Sequence, residues 1–322
     1  MQIEQIMELV ADDLSRVDQV IISRLASDVA LVNQVAQYII GCGGKRLRPL
    51  SVVLGARACG YAGDQHVDAA AIIEFIHTAT LLHDDVVDGS ELRRGRDTAN
   101  EVFGNEASVL VGDYLYSRAF QMMVDLDDMR VQEVMANATN MIAEGEVLQL
   151  MNAHDPDTSE ERYLTVIYRK TAKLFEAGAQ MAAILAGAPP EVEAAMVDFG
   201  RHLGTAFQLV DDALDYDADE EELGKSLGDD LAEGKPTLPL IYALSHSSPD
   251  DTARLRTIVE NGGTEDLALV TRTIESSGGL EYTARLAQRE TDLAIEALGR
   301  LPDSAHKDAL CALAEIAVAR RS

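Results

Sequence analysis

Residues 70–88 read AAIIEFIHTATLLHDDVVD, an apolar run from Ala70 to Leu82 that closes on three aspartates, Asp84, Asp85 and Asp88. The run has helical rather than alternating character, and on a helix Asp84 and Asp88 lie four apart on one face. The pattern occurs twice. FQLVDDALD at 207–215 closes the apolar run from Val192 and sets Asp211 and Asp215 four apart in the same way, with Asp212 between them. Elsewhere the helical period persists: Ile3, Ile6, Val10, Leu14 and Val17 open one stripe, and Leu313, Ile316 and Val318 belong to the last. No segment alternates apolar and β-branched residues between hairpin turns. Seven of the prolines fall between periodic segments, and Pro239 falls in the first turn of one. Thr158-x-x-Glu161 and Ser248-x-x-Asp251 read as helix starts. The expectation is an all-α chain of about a dozen helices. The whole of 1–322 reads as one domain, with the part after about 245 as a C-terminal extension of it. The loops 41–48, 89–97 and 217–235 hold most of the remaining signals.

Three carboxylates in one helical turn repel one another unless cations neutralise them. A single DDxxD is most often a solvated helix end. Two copies, each interrupting an apolar helix, argue for a task. Oxygen donors without Cys favour Mg²⁺ or Mn²⁺ over zinc, and Mg²⁺ completes its shell with water and substrate phosphate.

Composition narrows the field. The chain has 322 residues, 47% hydrophobic and 25% charged, and a net charge of −28 that disfavours nucleic acid and anionic membrane surfaces as partners. Cys42, Cys59 and Cys311 suit neither a disulfide scaffold nor a zinc site. No apolar run approaches the roughly 20 residues of a membrane span. The opening MQIEQIMELVADDLSR is acidic and amphipathic, unlike a secretory signal, so the cytoplasm is the expected location.

Against that acidity, two basic loops stand out. Gly43-Gly44-Lys45-Arg46-Leu47-Arg48 runs into a helix expected to start at Pro49, and Arg93-Arg94-Gly95-Arg96 follows the first aspartate cluster. Backbone amides at a helix start, with Lys45 and Arg48, would cradle a diphosphate, whereas Arg46 reads as solvent-exposed. Lys170 and Thr171 on a helix over 160–187, with Gln208, Lys225 and Lys235, are weaker candidates one by one. His77, two turns before Asp84, reads equally as a core histidine or as a phosphate contact.

Taken in order, GGKRLRP (43–49), LLHDDVVD (81–88) with Arg93-Arg94-Gly95, Lys170-Thr171, FQLVDDALD (207–215) and Gly224-Lys225-x-x-Gly228-Asp229-Asp230 resemble the trans-isoprenyl diphosphate synthase family over nearly the whole chain, its long-chain members most. The resemblance implies an all-α bundle around a deep central cavity, a homodimer, and two aspartate motifs facing each other at the cavity mouth. It implies about three Mg²⁺ ions, held mainly by Asp84, Asp88 and Asp211 with Asp85, Asp212 and Asp215 nearby. An allylic diphosphate, with farnesyl diphosphate the expected primer, would lie on them, aided by Arg93, Lys170, Thr171, Gln208 and Lys225. Isopentenyl diphosphate would be gripped by Lys45, Arg48, His77 and Arg94. Ionisation would break the allylic C–O bond, the double bond of isopentenyl diphosphate would attack, and released diphosphate would take the proton.

One turn deeper than Asp84, about 6–7.5 Å along the axis, stand Thr80 and Ala79, both small. Short-product relatives tend to carry Phe or Tyr there, so the tunnel reads as open and a product near C40 (octaprenyl) is expected, for quinone side chains. Met123 on a helix over 107–126 and Met135 on the next are candidates for its floor. The competing readings are a synthase of shorter or longer product (C20, C35, or C45–C50), which small residues at these positions do not separate from C40, then a class I terpene cyclase, a non-catalytic partner subunit and an acidic cation scaffold.

Overall fold

In the computed structural model the described residues are 1–41, 43, 46–93, 95–217 and 228–319. The central element is α5 (Gln65–Val87), about 34 Å of helix at the usual rise. Its apolar run is buried along its length: Ala69 to Ile73, Phe75, Ile76, Ala79 and Leu82 are sealed from solvent. A helix apolar all round needs neighbours on every side, and α5 has them: α2 (Ala11–Leu25), α4 (Leu47–Ala58), α7 (Asn105–Asp125) and α10 (Lys173–Leu185) pack around it. Gly89, at φ +64, takes the left-handed turn that ends the helix just past Asp88.

The second long apolar run forms α11 (Pro190–Leu214), opened by Pro190 at its first position, where the missing N–H costs nothing. It lies against α10 and along the helix Gly279–Ala297. α8 (Met129–Asn152) and α9 (Glu160–Ile167) complete the wall between α5 and α11. The main core spans these elements, with Phe75, Phe175 and Phe199 its largest sealed side chains. A smaller cluster gathers Tyr216, Leu240, Leu255 and Val270, and another joins Tyr163 and Leu209 to Leu238 and Ala287. The region after 245 therefore divides. Pro249–Asn261 and Leu267–Ser277 serve the small cluster, while Ala305–Val318 returns to α4 and the main core.

The all-α reading holds, with local corrections. Leu92–Arg93 and Arg96–Asp97 pair as a two-residue antiparallel ladder in what the sequence offered only as a polar loop. α4 starts at Leu47, ahead of Pro49, because Arg46 turns the chain at φ 44 and the proline fits in a first turn that needs no amide donors. α9 is capped by Ser159, whose hydroxyl accepts from Arg162 N, and not by Thr158. Ser248 caps as expected. The helix expected over 160–187 runs without a break from Glu160 to Leu185, but it winds through a π turn at Tyr168–Ala172 between α9 and α10. No described helix is long and apolar enough to cross a membrane.

Candidate active site

Both aspartate motifs sit at helix C-termini, Asp84–Asp88 on α5 and Asp211–Asp215 on α11. The dipole places partial negative charge at that end, so carboxylates there are doubly in need of cations. Both motifs rim one cavity of about 700 Å³, in the size range of small-molecule sites, whose deeper wall includes Leu81, Ile142, Ile167, Leu174 and Phe207.

Within each motif the aspartates divide. Asp84, Asp88 and Asp211 border the cavity. Asp85 is sealed from solvent, does not border it, and is gripped by Arg93: Nε reaches Oδ1 and Oδ2 at 3.0 and 3.2 Å, and Nη2 reaches Oδ1 at 2.6 Å. Asp85 is thus committed to an ion pair, a position at odds with a place among the cation ligands. Asp212 borders the cavity but is held by two donors, Tyr163 Oη to Oδ2 and Gln208 Nε2 to Oδ1 at 2.7 Å. Thr171 Oγ1 in turn donates to Gln208 Oε1 at 2.8 Å. Burial, with Asp230 adding repulsion, pushes the Asp212 carboxyl up to about 8, and the same burial with Asp212 beside it holds the Tyr163 hydroxyl well above its usual value. Asp215 also borders the cavity and anchors the chain beyond: its Oδ2 accepts from Asp230 N at 3.1 Å.

The cations come from two places. Lys170, on the π turn, reaches Asp84 Oδ2 at 3.5 Å and Glu146 Oε2 of α8 at 2.8 Å. Lys235 reaches Asp88 Oδ2 at 2.8 Å and also pairs with Glu233. Burial would lower the pKa of both ammonium groups, but Asp84 and Glu146 outweigh it at Lys170, as Glu233 and Asp88 do at Lys235, so both stay charged. Burial is also what raises Asp84, against the pull of Lys170, and lifts Glu146 to about 7. The π turn meets α8 at Gly145, where even a methyl would lie 2.8 Å from Arg169 Cβ and 2.9 Å from Lys170 N. Extra turns of this kind concentrate at functional sites.

On the opposite wall, Arg48 and His77 are brought together. Arg48 Nη1 lies 3.2 Å from His77 Nε2, and since an arginine can only donate, that nitrogen is the acceptor. The guanidinium also stacks over Phe175 and Phe207, at 4.6 and 5.7 Å from the ring centres. Arg46, read as solvent-exposed, instead borders the cavity and pairs with Asp18, with Glu74 4.0 Å away. Lys45, Arg94 and Lys225 lie outside the described residues.

Of the tunnel candidates, Thr80 borders the cavity and Ala79 does not; Ala79 is sealed in the core with Met123 and Met135. Met135 shares its helix stripe with Ile142 and Gln149, so it lies two turns, about 10 Å, below the wall residue Ile142. Sequence reading missed Tyr163, Glu146 and Gln149, which act through contacts distant in the chain, and Glu233, which pairs with Lys235 two residues on.

Do these residues suit divalent cations? Among the described residues, no three His, Cys, Asp or Glu side chains converge as a ready-made cage. Instead, outward carboxylates from two motifs line a shared mouth, and lysine ammonium groups already sit against two of them. That donor set fits hard cations that take only one or two carboxylates each and share the rest of their shell with phosphate.

Comparison with known proteins agrees in both sequence and shape. The chain is 57% identical to octaprenyl diphosphate synthase of Escherichia coli (strain K12), covering 99% of each chain. It is 51% identical to octaprenyl diphosphate synthase of Haemophilus influenzae, over 99% of this chain and 98% of the relative. A polyprenyl synthase from Caulobacter crescentus, solved in complex with calcium and isoprenyl diphosphate, superposes with a TM-score of 0.96 at 44% identity, over 100% of this chain and 98% of that one. The profile of the polyprenyl synthetase family matches residues 29–276, a span that takes in both aspartate motifs, both lysines and the Arg48–His77 wall. A prenyl-transferring enzyme built on the all-α isoprenoid synthase fold accounts for the motifs, the cavity and the relatives together, and the chain belongs to the polyprenyl synthetase family.

Proposed function

We propose that the protein is a long-chain all-trans-polyprenyl diphosphate synthase, extending farnesyl diphosphate or a similar allylic primer with isopentenyl diphosphate to about C40. The observation that carries this reading is the pair of aspartate motifs set at one mouth of a cavity walled in part by Leu81, Ile142, Ile167, Leu174 and Phe207, with a separate basic wall at Arg48 and His77. Two anionic substrates need two cradles; a cyclase needs one.

Asp84, Asp88 and Asp211 would hold about three Mg²⁺ ions, with Mn²⁺ as an alternative. Bound there, the ions supply Lewis-acid stabilisation of the departing diphosphate. Lys170, with Arg93 and Lys225, positions the allylic diphosphate. Thr171 and Gln208 orient Asp212 beside it. Arg48 and His77, with Lys45 and Arg94, hold isopentenyl diphosphate so that its double bond faces the allylic carbon. The apolar wall keeps water from the cation, and no side chain is needed as base because released diphosphate accepts the proton. The product grows past Thr80, with Ala79, Met123 and Met135 behind the wall setting its length. A homodimer in the cytoplasm, free of nucleic acid and of stable membrane insertion, with product handed to quinone side-chain assembly, completes the proposal.

The test is incubation with farnesyl diphosphate, labelled isopentenyl diphosphate and Mg²⁺, with the dephosphorylated products sized by chromatography and mass. A ladder ending near C40 and abolished by a chelator is expected. Failure to consume isopentenyl diphosphate with any allylic primer would refute it, whereas a ladder ending at C20 would refute the chain length alone.

A further inference from the structure

Gln149, on α8, is one turn from Glu146 and borders the cavity between the two lysines. One end of its amide lies between both ammonium groups, and hydrogen bonding assigns the oxygen to that end, since an NH₂ there would face only donors; so assigned, the oxygen accepts from Lys170 Nζ at 3.2 Å and from Lys235 Nζ at 3.3 Å. Each ammonium group has three protons to place. For Lys170 the acceptors are Asp84, Glu146 and Gln149, and for Lys235 they are Asp88, Glu233 and Gln149. Two of each set are carboxylates. The shared third is the neutral amide.

We infer that Gln149 is a positioning residue for the diphosphate, one oxygen tying the lysine of the π turn to the lysine beyond α11 so that both point into the mouth together. The inference deepens the proposed function and rests on it for the identity of the anion.

Chemistry favours a neutral bridge. Two carboxylates already face each ammonium group, and a third shared between them would leave little positive charge for a phosphate. An amide fixes direction without spending charge. The bridge also links two elements: Lys170 is placed by the π turn against α8, whereas Lys235 lies in the 233–237 connection, which is tied to the chain just past α8 by the bond from His154 N to Gly234 O at 2.8 Å. Without the shared oxygen each lysine would be oriented by its own carboxylates alone.

The test measures binding of inorganic diphosphate with Mg²⁺ by calorimetry, beside steady-state kinetics, for wild type, Gln149→Leu, Lys235→Leu and the double variant. Loss of a charge-assisted bond predicts that Gln149→Leu weakens diphosphate binding about tenfold or more and raises KM for farnesyl diphosphate alike. KM for isopentenyl diphosphate should stay within about twofold, since the Arg48 wall is untouched. The double variant should lose much less than the product of the single losses, because Gln149 acts through the lysines. Gln149→Glu, which keeps length and polarity, guards against a folding defect and should also weaken diphosphate binding by neutralising the pair. Unchanged diphosphate affinity in both variants, or fully multiplicative losses with Lys235→Leu, would overturn the inference. The binding arm involves no prenyl transfer, so a chain that binds diphosphate through Gln149 yet makes no polyprenyl product would sink the proposed function and leave this inference standing.

Discussion

The Arg93 guanidinium closes a fork on the Asp85 carboxylate, with Nη2 and Nε at 2.6 and 3.0 Å from the same oxygen. Asp85 is fully buried, so this carboxylate serves its motif from behind: it fixes the arginine, while Asp84 and Asp88 on either side meet the cavity. Removing one partner of such a buried pair strands the other's charge. Asp85→Ala is therefore expected to cost about 3–5 kcal/mol of stability in denaturant melts. Arg93→Lys should be nearly as disruptive to activity, because an ammonium group cannot reproduce the fork.

Asp212 plays the corresponding inward part in the second motif, held by Tyr163 and Gln208. Tyr163→Phe deletes one donor and nothing else. The expected loss is about 1–3 kcal/mol in thermal or chemical unfolding, the penalty for a buried acceptor left short of a partner. The Mg²⁺ concentration for half-maximal turnover should rise, because Asp212 then competes for neighbouring cations instead of staying fixed. A variant with unchanged stability and unchanged Mg²⁺ response would show the hydroxyl to be idle.

Product length probes the wall beside α5. Thr80→Phe should shorten the product by several isoprene units, since Thr80 borders the cavity four residues deeper than Asp84. Ala79 is sealed in the core, so Ala79→Tyr should shorten the product too, but with a stability loss of about 1–3 kcal/mol from overpacking. Sizing the products of both variants checks the tunnel, and unchanged lengths in both would place the limit elsewhere.

Far from the cavity, Asp13 receives a fork from Arg57, both bonds 2.7 Å, and lies 3.2 Å from His66 Nε2. Burial pushes the Asp13 carboxyl up, but Arg57 and His66 more than offset it and hold the group below the ordinary 3.8. A carboxyl with a depressed folded pKa stabilises the fold above its unfolded value, and that contribution fades as pH falls through the folded one. Wild type should thus lose stability on acidification below about pH 4 more steeply than Asp13→Asn, which has no such proton to take up. Parallel acid unfolding curves for the two proteins would contradict this.

How much of this was legible in the sequence follows from which interactions are local. The run 70–88 declares a buried helix, and the two DDxxD patterns declare where charge collects, because spacing along one helix is all they need. The π turn at 168–172 was invisible, since one extra residue barely disturbs a 3.6-residue period. Tyr163 meets Asp212 across 49 residues and Glu146 meets Lys170 across 24. Nothing local to either marks such a meeting, and a polar residue on a helix looks the same whether it faces water or a lysine. Met135 lies on the stripe of the cavity wall and two turns below Ile142, a depth that the helical period alone gives.

The close approach at Gly145 sets a tolerance for the whole mouth. With no room for a methyl between α8 and the π turn, the axes of these two elements are spaced by the Gly145 backbone against the backbone and Cβ of Arg169 and the amide of Lys170. Glu146 and Gln149 are cantilevered from that joint, and their reach to Lys170 is fixed by it. A shim of a single carbon would lift them by a distance comparable to the margin between a hydrogen bond and none. The hydrogen atom at position 145 is thus the gauge to which the lysine pair is built.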